Sequence, residues 1–288
     1  MTQAKEDVPI LRSAYALRDQ YDAWLCDVWG VIHNGRDVHG EAVEACAEFR
    51  KSGGTVVFIT NAPRPAPPIM QHLDGLGVDR ESYDVVITSG DVTRRLIKAW
   101  SGRPIFHLGP ERDLPIFTGL GVHFADEAAA EVIVNTGLFD DTTETPDDYR
   151  ELFARFLERS LPMICANPDI MVERGADLCY CAGALAELYR EMGGSVDYAG
   201  KPHPTIYEVC RDKIAEVRGC DVPRSRILAI GDGLKTDMTG AAGAGLDALF
   251  VPSGIHVEGG RELDQGLIDE LFNGHPFRPV AAIAGLTW

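Results

Sequence analysis

Four short stretches of this sequence set oxygen and nitrogen groups where a phosphoryl group and a cation could be handled together. They are Leu25-Cys26-Asp27-Val28-Trp29-Gly30-Val31, Phe58-Ile59-Thr60-Asn61, Gly200-Lys201-Pro202-His203-Pro204-Thr205 and Ile230-Gly231-Asp232-Gly233-Leu234-Lys235-Thr236-Asp237. A carboxylate such as Asp27 can attack phosphorus and form an aspartyl phosphate, which divides one difficult displacement into two. Carboxylate and phosphate repel each other, so a cation must lie between them. Mg²⁺ prefers octahedral oxygen ligation and takes only a few protein ligands. Asp27 and Asp232 would supply two, with water and a backbone carbonyl completing the shell. Thr60 and Lys201 would hold phosphoryl oxygens as charge moves in the transition state.

Taken singly, each of these residues has an ordinary structural explanation. An Asp at a strand end commonly forms a turn or caps a helix, a Lys before Pro is commonly solvated, and Gly-Asp-Gly is commonly a turn. Their weight comes from order and placement. Ala23–Asp27, Thr55–Thr60, Asp84–Thr88 and Arg226–Ile230 read as continuous apolar strands of the kind that parallel sheets bury on both faces. Each is followed by a turn and a helical pattern, at Gly40–Ser52, Pro67–Leu76, Asp91–Trp100 and Thr236–Ala244. Such alternation predicts an α/β fold, a Rossmann-like, doubly wound parallel sheet with ligands at the carboxyl ends of its strands.

The texture changes after Trp100. Pro104–Leu108, Ala130–Asn135 and Pro162–Cys165 read as further strands, with helices over Pro146–Arg159 and Ala182–Met192 and an acidic, turn-rich stretch at Leu138–Pro146. The expected organisation is a discontinuous core, 1–101 plus 197–288, with an inserted α/β cap domain at 102–196. Hinges are expected near Ser101–Pro104 and Val196–Gly200, where turn residues interrupt the pattern.

Composition narrows the partners. The 288 residues include 27 Lys and Arg against 44 Asp and Glu, a formal net charge of −17. That balance repels nucleic acid and anionic membrane, so neither is an expected partner. An anionic substrate has to be held by a local device, such as a metal, a lysine or backbone N–H groups. The first twenty residues carry Lys5, Glu6, Asp7, Arg12, Arg18 and Asp19, which leaves no apolar core for a signal peptide. Seven cysteines, mostly in apolar stretches, read as reduced thiols. The expected location is cytoplasmic. The Cys179-x-Cys181 pair has no second pair to complete a zinc site.

These motifs resemble the haloacid dehalogenase (HAD) superfamily. Asp27-Val-Trp-Gly-Val, Phe-Ile-Thr60-Asn61, Gly-Lys201-Pro-His-Pro and Gly-Asp232-Gly-Leu-Lys-Thr-Asp237 carry the resemblance, over about residues 20–256. Within it the chain is most similar to the subclass IIA, NagD-like sugar and nucleotide phosphatases. The Cys-Ala-Asn167-Pro168-Asp169 run and the large insertion between Asn61 and Lys201 resemble their C2-type cap. The resemblance implies a Mg²⁺-dependent phosphohydrolase of a small phosphorylated metabolite, a sugar, nucleotide or cofactor phosphate. In it Asp27 is nucleophile and metal ligand, and Trp29 lends the metal only its backbone carbonyl. Thr60 and Asn61 bind the phosphoryl group, and Lys201 neutralises phosphate and nucleophile. Asp232 ligates the metal with Asp237 beside it, and Asn167 and Asp169 face the leaving group from the cap. An exposed cap surface is compatible with a homodimer.

One position departs from the pattern. Two residues after the nucleophile, phosphatases of this superfamily carry a second Asp that protonates the leaving oxygen and later activates water. Here that residue is Trp29, and general acid–base help of this kind is typically worth ~10²–10⁴-fold. His33, six residues after Asp27, is the candidate substitute. Two other readings stand beside hydrolysis. One is a catalytically weakened phospho-ligand binding or regulatory module, and the other is attack on carbon or on a phosphonate. A carbon-attacking relative would leave Asp232 and Asp237 without a cation to hold.

Overall fold

The computed structural model describes residues 7–174, 177–252 and 262–288. The far end of the resemblance, at about residue 256, lies outside them. The chain forms two compact units, one made of Met1–Thr60, Met70–Ile87 and Tyr207–Trp288 and the other of Asn61–Ile69 and Thr88–Ile206.

The first unit is built on a seven-stranded sheet. Its strands are β1 (Ile10–Leu11), β2 (Ala23–Asp27), β3 (Thr55–Thr60), β4 (Val85–Thr88), β12 (Ile227–Gly231), β13 (Asp247–Phe250) and β14 (Ala281–Ile283). They lie in the order β1-β14-β13-β12-β2-β3-β4. The pairings β1–β14, β14–β13, β13–β12, β12–β2 and β2–β3 are parallel. All five residues of β2, all six of β3 and all five of β12 are buried, as the unbroken apolar runs require. Helix α1 (Gly40–Lys51) buries Ala42, Ala45, Cys46 and Phe49, a stripe at helical spacing. Phe49 stacks on Trp24 of β2, with ring centroids 4.0 Å apart.

At the amino end of this sheet, Arg226 grips Asp22 through Nε at 2.9 Å and Nη2 at 2.6 Å. Arg218 donates to the Asp22 carbonyl and the Thr55 hydroxyl, each at 3.1 Å. These contacts tie the starts of β2, β3 and β12 together and so fix their relative register. The opposite, carboxyl end is left for chemistry.

The second unit has its own parallel sheet, with β5 (Pro104–Leu108), β6 (His123–Phe124), β7 (Val132–Asn135), β8 (Met163–Cys165) and β11 (Val196–Tyr198) in the order β11-β8-β7-β5-β6. Its side chains alternate between two cores with the period of a strand. Ile133, Met163 and Cys165 join Phe153, Phe156, Leu185 and Tyr189 on one face. Val132, Val134 and Ile164 join Ile97, Ile116 and Phe117 on the other. Helices α4 (Arg150–Glu158) and α5 (Ala182–Glu191) supply the first face, and α3 (Ser89–Lys98) supplies Ile97 to the second. A two-stranded antiparallel hairpin, β9 (Met171–Arg174) with β10 (Asp177–Tyr180), completes the unit.

Two boundaries differ from the sequence expectation. The pairing of β11 with β8 carries the second sheet past residue 196, and α3, expected in the core, packs its Ile97 in the second unit. Among the described residues, no helix is long and apolar enough to cross a membrane.

Candidate active site

Chain order places the acids of the first unit. From β2 the chain runs outward through β3 to β4, and β12 then returns to the other flank of β2 and continues through β13 to β14. The switch point therefore falls at β2 and β12, where a doubly wound sheet opens its ligand crevice. Cys26 pairs with Ile230 and Asp27 with Ile59. Asp27 thus ends β2, flanked by the Gly231-Asp232 end of β12 and the Ile59-Thr60 end of β3.

Asp27, Asp232 and Asp237 each bring a carboxylate oxygen into one group whose atoms all lie within 4.8 Å of one another. The three are 4%, 6% and 4% exposed. At that spacing two carboxylates repel by about 3 kcal/mol per pair at an effective dielectric of 20. An all-oxygen, all-carboxylate donor set of this kind fits a hard divalent cation. Asp237 is oriented by its own loop, accepting at Oδ2 from the Gly233 N–H and the Thr236 hydroxyl, both at 3.2 Å. That loop is a π-helical turn over Leu234–Met238, a form common at functional sites. Gly30 is needed for the same cluster, because its φ is +93° and a Cβ there would overlap Asp232 Oδ2. Thr60, 7% exposed, closes β3 beside them.

The loop after Asp27 is a tight turn. The Ile32 and His33 N–H groups both donate to the Val28 carbonyl, at 2.9 and 3.1 Å, and the Gly30 N–H donates to the His33 carbonyl at 2.8 Å. The Trp29 indole is 40% exposed and meets the His33 ring edge-on at 5.3 Å. His33 itself is buried, and its Nδ1 accepts a 2.8 Å bond from the Gly35 N–H. Burial first, then the neighbouring His72 and His39, push its pKa down to about 4. A ring in that state carries no imidazolium proton near neutral pH. His33 is thereby bound into the turn through Nδ1, and burial disfavours its protonated form.

The remaining expected residues belong to the second unit. The Asn61 carboxamide accepts from the Lys201 N–H at 2.7 Å and donates to the Lys201 carbonyl at 3.0 Å and to Asp169 Oδ1 at 2.8 Å. Asn167 Oδ1 accepts from the Asp169 N–H at 3.0 Å, which shapes the turn leaving β8. Asn61, Lys201, Asn167 and Asp169 are thus gathered at the carboxyl edge of the second sheet. Asn61 was expected to bind a phosphoryl group, yet both of its side-chain N–H groups already have partners. That linkage, and the need for glycine at position 30, were not read from the sequence. The only sequence signal for either was the small residue beside each acid or lysine.

Two family models match the chain: one described as a haloacid dehalogenase-like hydrolase over residues 24–123, and a HAD-hydrolase-like model over residues 198–269. A solved hydrolase of the haloacid dehalogenase-like family from Brucella suis 1330 is 46% identical. Its TM-score is 0.84, over 96% of this chain and all of that one. The 5'-nucleotidase YutF of Bacillus subtilis is 24% identical over 263 residues, 89% of this chain and 98% of that protein. The ribonucleotide monophosphatase NagD of Escherichia coli is 26% identical over 258 residues, 88% of this chain and 92% of that protein.

Proposed function

This chain belongs to the haloacid dehalogenase-like hydrolase family, in its NagD-like phosphatase branch, and we propose from that membership that it is a Mg²⁺-dependent phosphohydrolase of a small phosphorylated metabolite. The observation that carries the reading is the buried trio Asp27, Asp232 and Asp237 at the switch point of the core sheet. Those two late acids and Asp27, with the Trp29 carbonyl, would hold the cation. Bound there, it supplies the positive charge that lets a phosphate approach a carboxylate.

The steps belong to the chain's own residues. An Asp27 oxygen forms a bond to phosphorus as the bond from phosphorus to the leaving oxygen breaks, giving an aspartyl phosphate and the departing group as its oxyanion, which takes a proton from water. Water then attacks phosphorus, and the Asp27 carboxylate is released together with inorganic phosphate and a proton. The Thr60 hydroxyl and the Lys201 ammonium offset charge on the phosphoryl oxygens. The inserted segment 102–196 acts as a C2-type cap that recognises the leaving group, with Asn167 and Asp169 on its side. Trp29 has no proton to give the leaving oxygen, so among small phosphorylated metabolites turnover should favour substrates whose leaving group departs readily. Sugar, nucleotide and cofactor phosphates all fall within the class, and the named relatives include a 5'-nucleotidase and a ribonucleotide monophosphatase. Six of the seven thiols are buried, which fits a reducing cytoplasm.

The test is a phosphate-release screen across a metabolite panel with Mg²⁺, using the Asp27→Asn protein as the blank. Release is expected from the wild-type chain and not from the variant, because an amide neither attacks phosphorus nor balances the cation. Beryllium fluoride should be trapped on Asp27. Wild-type turnover by Asp27→Asn would end the covalent mechanism. Trp29 favours a second reading, a phospho-ligand binding module. Ligand binding without release above the blank would establish it.

A further inference from the structure

Every side-chain hydrogen of the Asn61 carboxamide is engaged within the second unit. Its oxygen and one N–H pair with the main-chain N–H and carbonyl of a single residue, Lys201, 140 positions away, at 2.7 and 3.0 Å. This is the two-point pattern by which one strand holds its neighbour, made by a side chain. The other N–H goes to Asp169 Oδ1 at 2.8 Å. The main chain of Asn61 is itself held, since the Ser89 hydroxyl points at the carbonyls of Asn61 and Ala62, at 2.8 and 2.9 Å. Glycine at position 200 is what admits the clamp, because a Cβ there would overlap Asn61 Oδ1.

Asn61 is 6% and Lys201 3% exposed, so water is poorly placed to replace a lost partner. A phosphoryl ligand acting through this carboxamide needs a side-chain N–H to offer, and both are committed. We infer that Asn61 is a positioning residue for Lys201, and that Asp169 reinforces its orientation by taking the remaining amide hydrogen. The turn after β8 is thereby connected through one side chain to the main chain of the lysine. The inference rests on the reading that Lys201 acts on the phosphoryl group.

The experiment is a double-mutant cycle on the full-length chain with Mg²⁺ and an aryl phosphate, comparing Lys201→Met, Asn61→Ala and the two combined. A displacement of about 1 Å can cost 10²-fold, so each single variant is expected to lose kcat/KM on that order. If Asn61 works through Lys201, the combined variant is about as slow as Lys201→Met alone. Multiplying losses would overturn the inference, since Asn61 would then meet the phosphoryl group independently. An unchanged kcat/KM in Lys201→Met would instead overturn the part given to the lysine.

A second pair keeps the test open if Asn61→Ala does not fold, as judged by thermal melting. Asp169→Asn retains an oxygen acceptor and should lose less kcat than Asp169→Ala. Asp169→Ala removes the acceptor and should lose kcat several-fold with KM little changed. Equal losses in both would show that Asp169 acts by its charge, and would overturn its part as an orienting acceptor.

Discussion

Gly35 passes against the outer end of the Trp29 indole so closely that a Cβ at position 35 would overlap Cη2 and stand 2.9 Å from Cζ3. Its φ of +90° already lies where side chains are disfavoured. The turn after Asp27 is therefore built around the ring, and the indole is a fixed part of the loop. Gly35→Ala should destabilise the fold by about 1–2 kcal/mol from the backbone alone, and more where the ring has to move. Urea unfolding should show a lower midpoint with an unchanged slope. An unchanged midpoint would mean that the loop rearranges freely.

In the proposed reaction, the indole at position 29 has no proton to give the departing oxygen. Turnover should consequently depend steeply on leaving-group pKa, with aryl phosphates, acyl phosphates and phosphoanhydrides far ahead of alkyl monoesters. A series of aryl and alkyl phosphates measures this directly. A flat dependence would show that a donor exists or that another step limits the rate. Trp29→Asp should raise activity on alkyl esters by some part of the ~10²–10⁴-fold that an acid contributes, provided that Gly35 and His33 keep the turn without the ring.

Removing the metal should abolish phosphate release, and adding Mg²⁺ should restore it. Asp232→Ala is expected to weaken Mg²⁺ binding more than Asp237→Ala. Asp237 already has Oδ2 engaged by the Gly233 N–H and the Thr236 hydroxyl, so its share of the ion is the smaller. Titration calorimetry decides the order, and equal losses would put both acids in direct contact with the ion.

The second unit should lose stability between pH ~6.5, the ordinary histidine value, and about 4. His107 is pushed down to about 4 by burial, so the folded chain disfavours its protonation while the unfolded chain accepts a proton earlier. Its contribution is full above the unfolded pKa and is lost as pH falls through the folded one. His107 Nε2 lies 2.9 Å from the Thr136 hydroxyl, which also bonds Asp113. Burial pushes the Asp113 carboxyl upward, which acts in the opposite sense. Replacing the histidine isolates its own share, so His107→Gln should flatten the fall in unfolding free energy across that window. An identical pH profile in the variant would remove His107 from the account.

Much of the scaffold was legible because burial on both faces leaves a plain mark. The strands Ala23–Asp27, Thr55–Thr60 and Pro104–Leu108 have the bounds their apolar runs suggest. Helix α3 begins at Ser89, two residues before the expected start, because Thr88 and Asp91 form a capping box that sets its first turn. The strands β1 and β14, two and three residues long, were not read, since their extended form comes from pairing with neighbours. The hairpin β9–β10 was missed for a related reason, its Met171–Arg174 arm having little apolar pattern. In the candidate site, the three acids that come together were readable from type and position. The clamp of Asn61 on Lys201 was not, because its partner is a main chain, which is the same atoms whatever the residue.

The neighbours of β2 come from opposite ends of the message. Asp27 is made early, while Asp232 and Asp237 stand in the last fifth of the 288-residue chain, and β12 must be present before it can lie beside β2. A growing chain can carry Asp27, Thr60 and Lys201 and still lack the two late acids that gather beside Asp27. The contact that assembles the acids is also among the most distant in sequence, the kind whose closure comes late in folding. In the proposed mechanism, synthesis thus doubles as a safety catch: Asp27 stays unarmed until the strand that brings its partner acids has been translated and has found its slot.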